Sequence, residues 1–354
     1  MSALPLPALA DKHSSYRRLI LRKQLLLVAL VALLLFSLVL DLAIGPANYG
    51  LGEVVQALLA PDSVRLQARV VMWDIRLPVA LMAIAVGAAL SVAGAQMQTI
   101  LNNPLASPFT LGISAAASFG AALGLAFGVK LLPVAVDYLV PANAFVMAML
   151  TAWLIHMLSL RRGVTAETIV LLGIALVFSF NALLALVQYF ASEQAVAAVV
   201  FWTMGSLTKA TWPKLGLTCL VIAITLPIFA RRAWALTALR LGDDKAASFG
   251  VNVQRLRLET MVLVSLLAAI PVAFVGTIGF IGLVGPHIAR MLIGEDQRFF
   301  LPASVLSGAL LLSLSSVVSK SLVDGAIFPI GVITSLIGIP FFIALILGQT
   351  RRSW

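Results

Sequence analysis

Uncharged apolar blocks alternate with short polar connections along nearly the whole chain. Each block is close to the length of a bilayer crossing, which takes about 20 residues of α-helix. Gln24–Leu40 is the first such block. Leu77–Val129 holds no Asp, Glu, Lys or Arg and is far too long for one crossing. Asn102, Asn103, Pro104 and Pro108 in its middle predict two helices joined by a broken connection. Tyr138–Leu160, Thr168–Ser192 and Leu215–Ala230 follow, the last beginning near Trp212. Thr260–Ala289 fits either one long helix or two tight ones, and Pro271, Gly276, Gly279, Gly282, Gly285 and Pro286 would break a single helix. Phe299–Ser319 and Ala326–Thr350 complete nine or ten helices in an all-α, polytopic membrane bundle.

Charge chooses between nine and ten. Cytoplasmic connections carry an excess of Lys and Arg. Ten crossings from a cytoplasmic N-terminus put seventeen of the 24 basic residues inside. These include five before the first helix, Arg161 and Arg162, six in the 231–257 loop, and Arg351 and Arg352. The other seven (Arg65, Arg69, Arg76, Lys130, Lys209, Lys214 and Lys320) fall outside. Nine crossings would invert the later segments and shrink the asymmetry. The expectation is a cytoplasmic segment over 1–23, one transmembrane domain over 24–350 with its longest inside loop at 231–257, and a cytoplasmic tail over 351–354.

Composition agrees: 61% of the 354 residues are hydrophobic and 11% charged, against about 25% charged in soluble domains. The net charge of +10 reads as topology rather than nucleic-acid binding, because the basic residues sit between apolar blocks. The basic start resembles that of a signal peptide, but no convincing small-residue cleavage site follows, and an uncleaved first helix is expected. The single cysteine, Cys219, excludes an internal disulfide, and no Cys/His cluster suggests a metal site.

Gly87, Ser91, Gly94 and Ala95 form a small-residue stripe that allows close helix packing within the bundle. His156 and His287 are the titratable groups near spans, each read as a satisfied helix-end histidine. No Asp or Glu is read within a helix, which speaks against a gradient-driven transporter, and no paired catalytic side chains at membrane depth suggest an intramembrane enzyme. No Gly-Lys pair and no phosphate loop occur, so any active transport draws energy from a partner. Asp243 and Asp244 after Gly242 can start a short helix, and Gly250 can end it. Two short helices separated by Gly250 would give a soluble partner a compact surface. On the residues alone this is balanced against a solvated connector.

The longer motifs carry a resemblance. They are Arg76-Leu77-Pro78, the run Gly87–Gln98, Asn103–Pro108 with Leu111-Gly112, Phe201–Ser206, Leu241–Gly250, Gly279–Arg290 and Phe328–Thr334. In this order, over about residues 20 to 350, the series resembles the FecCD family of permeases. These are the membrane subunits of ATP-driven importers for ferric siderophores, haem and cobalamin. The resemblance implies ten helices, a second identical or related permease, two cytoplasmic ATPases that hold ATP and Mg, and a periplasmic binding protein. It implies a bacterial inner membrane location and a non-catalytic chain with no cofactor of its own. The implied activity is import by alternating access, of a ferric siderophore first and of haem or cobalamin otherwise.

The same resemblance assigns positions. Arg76 and Lys320 match docking positions for the binding protein, with Lys320 where Arg is usual and Val79 where the cobalamin importer has a second Arg. Gly242, Asp243, Ala246, Phe249 and Gly250 match the coupling helices that meet the ATPase. Asn103 and Leu105, with Ala166 and Glu167, match a cytoplasmic gate. Phe201, Trp202 and Met204 lie in a half-helix lining the entrance. Gly279–Pro286 shapes a tight turn between the seventh and eighth helices, a packing role.

Overall fold

A computed structural model describes residues 9–46, 49–159, 165–323 and 325–350. The regular structure among them is helical. α1 is Leu9–Ala43 and α2 Leu51–Leu59. α3 (Leu66–Val70) runs through a π-helical segment, Val71–Arg76, into α4 (Leu77–Ile100). α5 is Ile113–Phe127, α6 Leu139–Ser159, α7 Ala166–Phe190, α8 Glu193–Thr203 and α9 Trp212–Arg231. Two short helices, α10 (Ala233–Leu239) and α11 (Asp243–Ser248), precede α12 (Val253–Val275), α13 (Ile281–Ile293), α14 (Gln297–Ser321) and α15 (Ile330–Thr350). Among the described residues, seven helices are long and apolar enough to cross a membrane: α1, the continuous α3–α4 rod, α6, α7, α9, α12 and α14. Three shorter apolar helices, α5, α13 and the first part of α15, bring the apolar set to ten among the described residues. Arg161, Arg162 and the 351–354 tail lie outside the described residues.

The bundle is built around α4, in which every residue except Leu77, Leu81 and Ile84 is buried. The small-residue stripe makes this possible, as the sequence predicts. A Cβ on Gly94 would sit 1.8 Å from the Gly282 carbonyl oxygen of α13, and one on Gly87 would sit 2.3 Å from that of Gly308 in α14. Ser91 Oγ donates to the Ser304 carbonyl at 2.7 Å, closing the same seam. With little hydrophobic drive between helices in lipid, backbone approach and interhelical hydrogen bonds hold such contacts. Nearer the α11 end, buried Gln96 and Thr99 of α4 meet Gln297 of α14: Gln96 Nε2 donates to Gln297 Oε1 and Gln297 Nε2 to Thr99 Oγ1, each at 3.0 Å.

Thr260–Ala289 is two helices, α12 and α13. Their turn, however, lies at Gly276–Phe280 rather than over the expected Gly279–Pro286. Gly276 (φ 79°) and Phe280 (φ 66°) take the left-handed backbone that reverses the chain. Gly282, Gly285 and Pro286 lie inside α13. Pro286 cannot donate to the Gly282 carbonyl one turn back, and Gln98 Nε2 of α4 reaches that carbonyl instead at 3.4 Å.

Three helix breaks meet at one junction. Ser206 N–H after α8 donates to Val275 O at the end of α12 (2.7 Å), and Ile330 and Gly331 N–H at the start of α15 donate to Gly205 O (3.2 Å) and Met204 O (3.0 Å). Thr277 Oγ1 donates to Thr203 O. Irregular backbone in a membrane protein is tolerated where other protein satisfies it, and here each break satisfies another.

Asp296 caps α14, accepting the Arg298 N–H at 3.1 Å. Asp296→Ala should lower stability by about 1 kcal/mol, seen as a drop in the thermal midpoint in detergent. Hydrogen bonding to the Arg298 guanidinium holds the Asp296 carboxyl below its ordinary range. The cap's contribution is therefore full above the unfolded Asp value and fades as pH falls through the lower folded one.

Candidate functional site at the two ends of the bundle

At one end, α1, α4 and α14 converge on a buried group of charges. Lys320 Nζ in the last turn of α14 donates to Asp41 Oδ1 at 2.9 Å and to the Asp41 carbonyl at 3.2 Å. Asp41 is fully buried and the Lys320 side chain is 7% exposed. Arg76 Nη1 donates to the Leu42 and Ala43 carbonyls at 2.6 and 3.0 Å. Neither carbonyl has a partner within α1, at whose C-terminus a cation is favoured, and Ala43 O also accepts the Tyr49 N–H at 3.4 Å. The Arg76 guanidinium also lies over the Tyr49 ring, 4.9 Å from its centre.

The structure thus brings Arg76 and Lys320, assigned to docking, to one cavity of about 390 Å³ that Val79 and Asp74 also line. Both cations turn inward. Sequence reasoning missed the acid between them: α1 runs past Leu40 to Ala43 and carries Asp41 inside a helix, correcting the reading that no span holds an Asp or Glu. The available signal was a lone acid closing an apolar block, opposite a lone lysine closing another. Asp41 is committed to Lys320, so it is an ion-paired acid rather than a free one.

A second cavity of about 280 Å³ adjoins this group, and Phe201, Lys209 and Lys320 line it. Phe201 is exposed and lines this mouth, Trp202 is buried in the core, and the Met204 carbonyl is engaged in the junction of breaks. Lys209, in the loop before α9, is pushed below its ordinary pKa by burial and by Lys214.

At the opposite end lies the 231–257 loop. The two short helices are α10 and α11, and Gly242 separates them (φ 103°), not Gly250 as expected. Gly250 (φ 82°) instead separates α11 from α12, because Asn252 already caps the long helix by accepting the Arg255 N–H at 3.0 Å. Asp243 opens α11 and pairs with Arg257 at 2.8 Å. Ala246 is buried beneath the helix, whereas Phe249 is 54% exposed and packs edge-on against Trp234.

Between α4 and α5 the chain makes a compact turn over residues 101–112. Asn103 Oδ1 accepts the Leu105 N–H at 2.9 Å, and Leu105 is exposed. The end of this turn seats on α7: a Cβ on Gly173 would lie 2.8 Å from Leu111 Cα. Glu167 is exposed in the first turn of α7, and the Ala166 side chain lies outside the described residues.

A protein of Methanocaldococcus jannaschii assigned as an ABC transporter permease is 38% identical over 351 residues, 97% of this chain and 99% of the relative. The hemin transport system permease protein HmuU of Yersinia pestis is 36% identical over 318 residues, 90% of this chain and 95% of the relative. A solved inward-facing ABC transporter, assigned to the metal-chelate type, superposes with a TM-score of 0.80 at 31% identity, covering 91% of this chain and 99% of that one. Further relatives are named for Fe(3+)-citrate, molybdate and vitamin B12 import. The profile of the FecCD transport family matches residues 33–348. This multi-pass membrane protein therefore belongs to the FecCD transport family of ABC transporter permeases.

Proposed function

We propose that the chain is the permease half of an ATP-driven importer in a bacterial inner membrane, with both termini cytoplasmic. It moves an iron chelate, a ferric siderophore in the first instance, from the periplasm. It hydrolyses nothing itself. Two ATPase subunits carrying ATP and Mg sit beneath it, a second permease copy or relative completes the path, and a periplasmic binding protein delivers the cargo. The observation that carries this reading is family membership along nearly the whole chain. Haem is the second reading, favoured by the hemin permease among the relatives.

In this reading the Arg76–Lys320 cavity faces the binding protein, and Phe201 lines the mouth beside it, backed by the buried Trp202 and by Met204 in the junction of breaks. The turn at Asn103–Leu105 gates the inner side with Ala166 and Glu167. α11, with its bounding Gly242 and Gly250, meets the ATPase. Alternating access follows when ATP binding moves α11. Reconstitution tests the whole: vesicles holding the chain with its ATPase and binding protein should accumulate a ferric siderophore with ATP inside. Uptake by the chain alone under an ion gradient would overturn the proposal.

Phe249 is the exposed aromatic anchor of α11. Phe249→Ala should weaken ATPase association by about 2 kcal/mol, roughly 30-fold, in a detergent titration, with the permease's own thermal midpoint nearly unchanged.

A further inference from the structure

The C-terminus of α4 is held from outside the helix. The N–H groups of Leu101, Asn102 and Asn103 take the carbonyls of Met97, Thr99 and Gln98 at 3.0, 3.3 and 3.2 Å. Ile100 would look to residue 104, but Pro104 has no N–H to give. Arg257 supplies the missing donor: its Nε donates to Ile100 O at 2.9 Å. Its Nη2 donates to Asp243 Oδ1 at 2.8 Å, at the first residue of α11. One guanidinium thus joins the negative end of α4 to the acid at the start of α11.

A second arginine acts on the next residues. Arg240, which closes α10, donates from Nη1 to Asn102 Oδ1 at 3.4 Å. Its Nε and Nη2 make a two-pronged pair with Glu295, between α13 and α14. Glu295 also pairs with Arg290 at 2.9 Å, and Arg290 Nη2 donates to Gln98 Oε1 at 2.9 Å. Asn102 itself takes φ 45°, a left-handed setting that Asn adopts more readily than most residues with a Cβ. Both flanks of α11 therefore grip the last turn of α4, from which the 101–112 turn hangs.

We propose that Arg257 and Arg240 link α11 to the turn at Asn102–Leu105, so that displacement of α11 moves the end of α4 and with it that turn. The proposal rests on the reading of α11 as the ATPase contact and of Asn103–Leu105 as a gate. The two arginines are positioning residues: they touch neither cargo nor nucleotide. A role confined to capping α4 would change stability alone. A link changes how far the turn responds to nucleotide.

The test uses the full chain co-purified with its ATPase. Cys219→Ser removes the one native thiol, and Leu105→Cys reports the turn through its maleimide labelling rate, with and without a non-hydrolysable ATP analogue. In the parent reporter the analogue should change the rate. With Arg257→Ala, that change should shrink at least about fivefold, the lower end for coupled sites, while ATP hydrolysis persists. Arg257→Lys, whose compact ammonium cannot make the two-sided contact, should also shrink it and serves if Arg257→Ala fails to fold. Exchanging the pair, Asp243→Arg with Arg257→Asp, restores the ion pair but not the bond to Ile100 O, and should leave the defect. An undiminished response in the arginine variants, or its full return in the exchange, overturns the link alone. No response in the parent reporter overturns the gate reading and the link with it.

Discussion

Gly94→Val should yield no folded protein that survives extraction into detergent. A Cβ at this position would lie 1.8 Å from the Gly282 carbonyl oxygen and 2.6 Å from its carbon. Both are backbone atoms of α13, so no side-chain rotation relieves the clash. Relief requires α13 to move away from α4, which would also part Gly285 from Ser91 and Gln98 from the Gly282 carbonyl. Overpacking of a well-filled core costs typically 1–3 kcal/mol and sometimes more. Here several contacts fail together, so a loss of at least about 3 kcal/mol is expected. Gly216→Ala in α9 is the matched control, because nothing lies within 4 Å of its added Cβ. It should be neutral or stabilising by up to about 1 kcal/mol, since glycine is a poor residue inside a helix. Size-exclusion profiles and thermal midpoints of the two variants decide the matter. A monodisperse Gly94→Val protein with an unchanged midpoint would mean that the α4–α13 seam is not as tight as described.

Breaking the Asp41–Lys320 pair from one side comes second in expected effect. Asp41→Leu would strand the Lys320 ammonium among buried groups, and Lys320→Met would strand the carboxylate. Removing one partner of a buried pair costs about 3–5 kcal/mol, whereas replacing both with apolar residues is often neutral. Each single variant should therefore lose most of its thermal stability, and the double variant should recover most of the loss. Recovery separates the pair's structural contribution from its proposed part in docking. A restored fold that still fails to bind the periplasmic protein places Lys320 in the docking face, and normal binding removes it from there. Equal stability of Asp41→Leu and the parent would show that the pair carries little of the fold.

Much of this arrangement was legible in the chain. Apolar blocks located the helices, the Gly87–Ala95 stripe located the seam along α4, and the Asn102–Pro108 run located the turn after it. What stayed hidden depends on distance across the fold. Asp41 and Lys320 are 279 residues apart, and nothing local announces that the two helix ends touch. The displaced turn between α12 and α13 has a similar cause. Gly282 and Gly285 look like breakers locally, but they are demanded by the close passage of α4. Gly250 also misled for a tertiary reason: Gly242 already separates the short helices, leaving Gly250 to release the chain into α12. The arginine grip on α4 was invisible because Arg257 stands 157 residues from Ile100, although Pro104 already denies the Ile100 carbonyl its usual donor.

The junction where α8, α12 and α15 break is fastened chiefly through peptide groups. Peptide groups are the same whatever side chain stands beside them. The frame around the mouth is thus indifferent to most of the residues that project from it, provided the few crowded glycines remain. A scaffold of that sort can be refitted for a different cargo by exchanging lining side chains while the main-chain fastening stays in place. Its specificity and its architecture are then free to change at different rates.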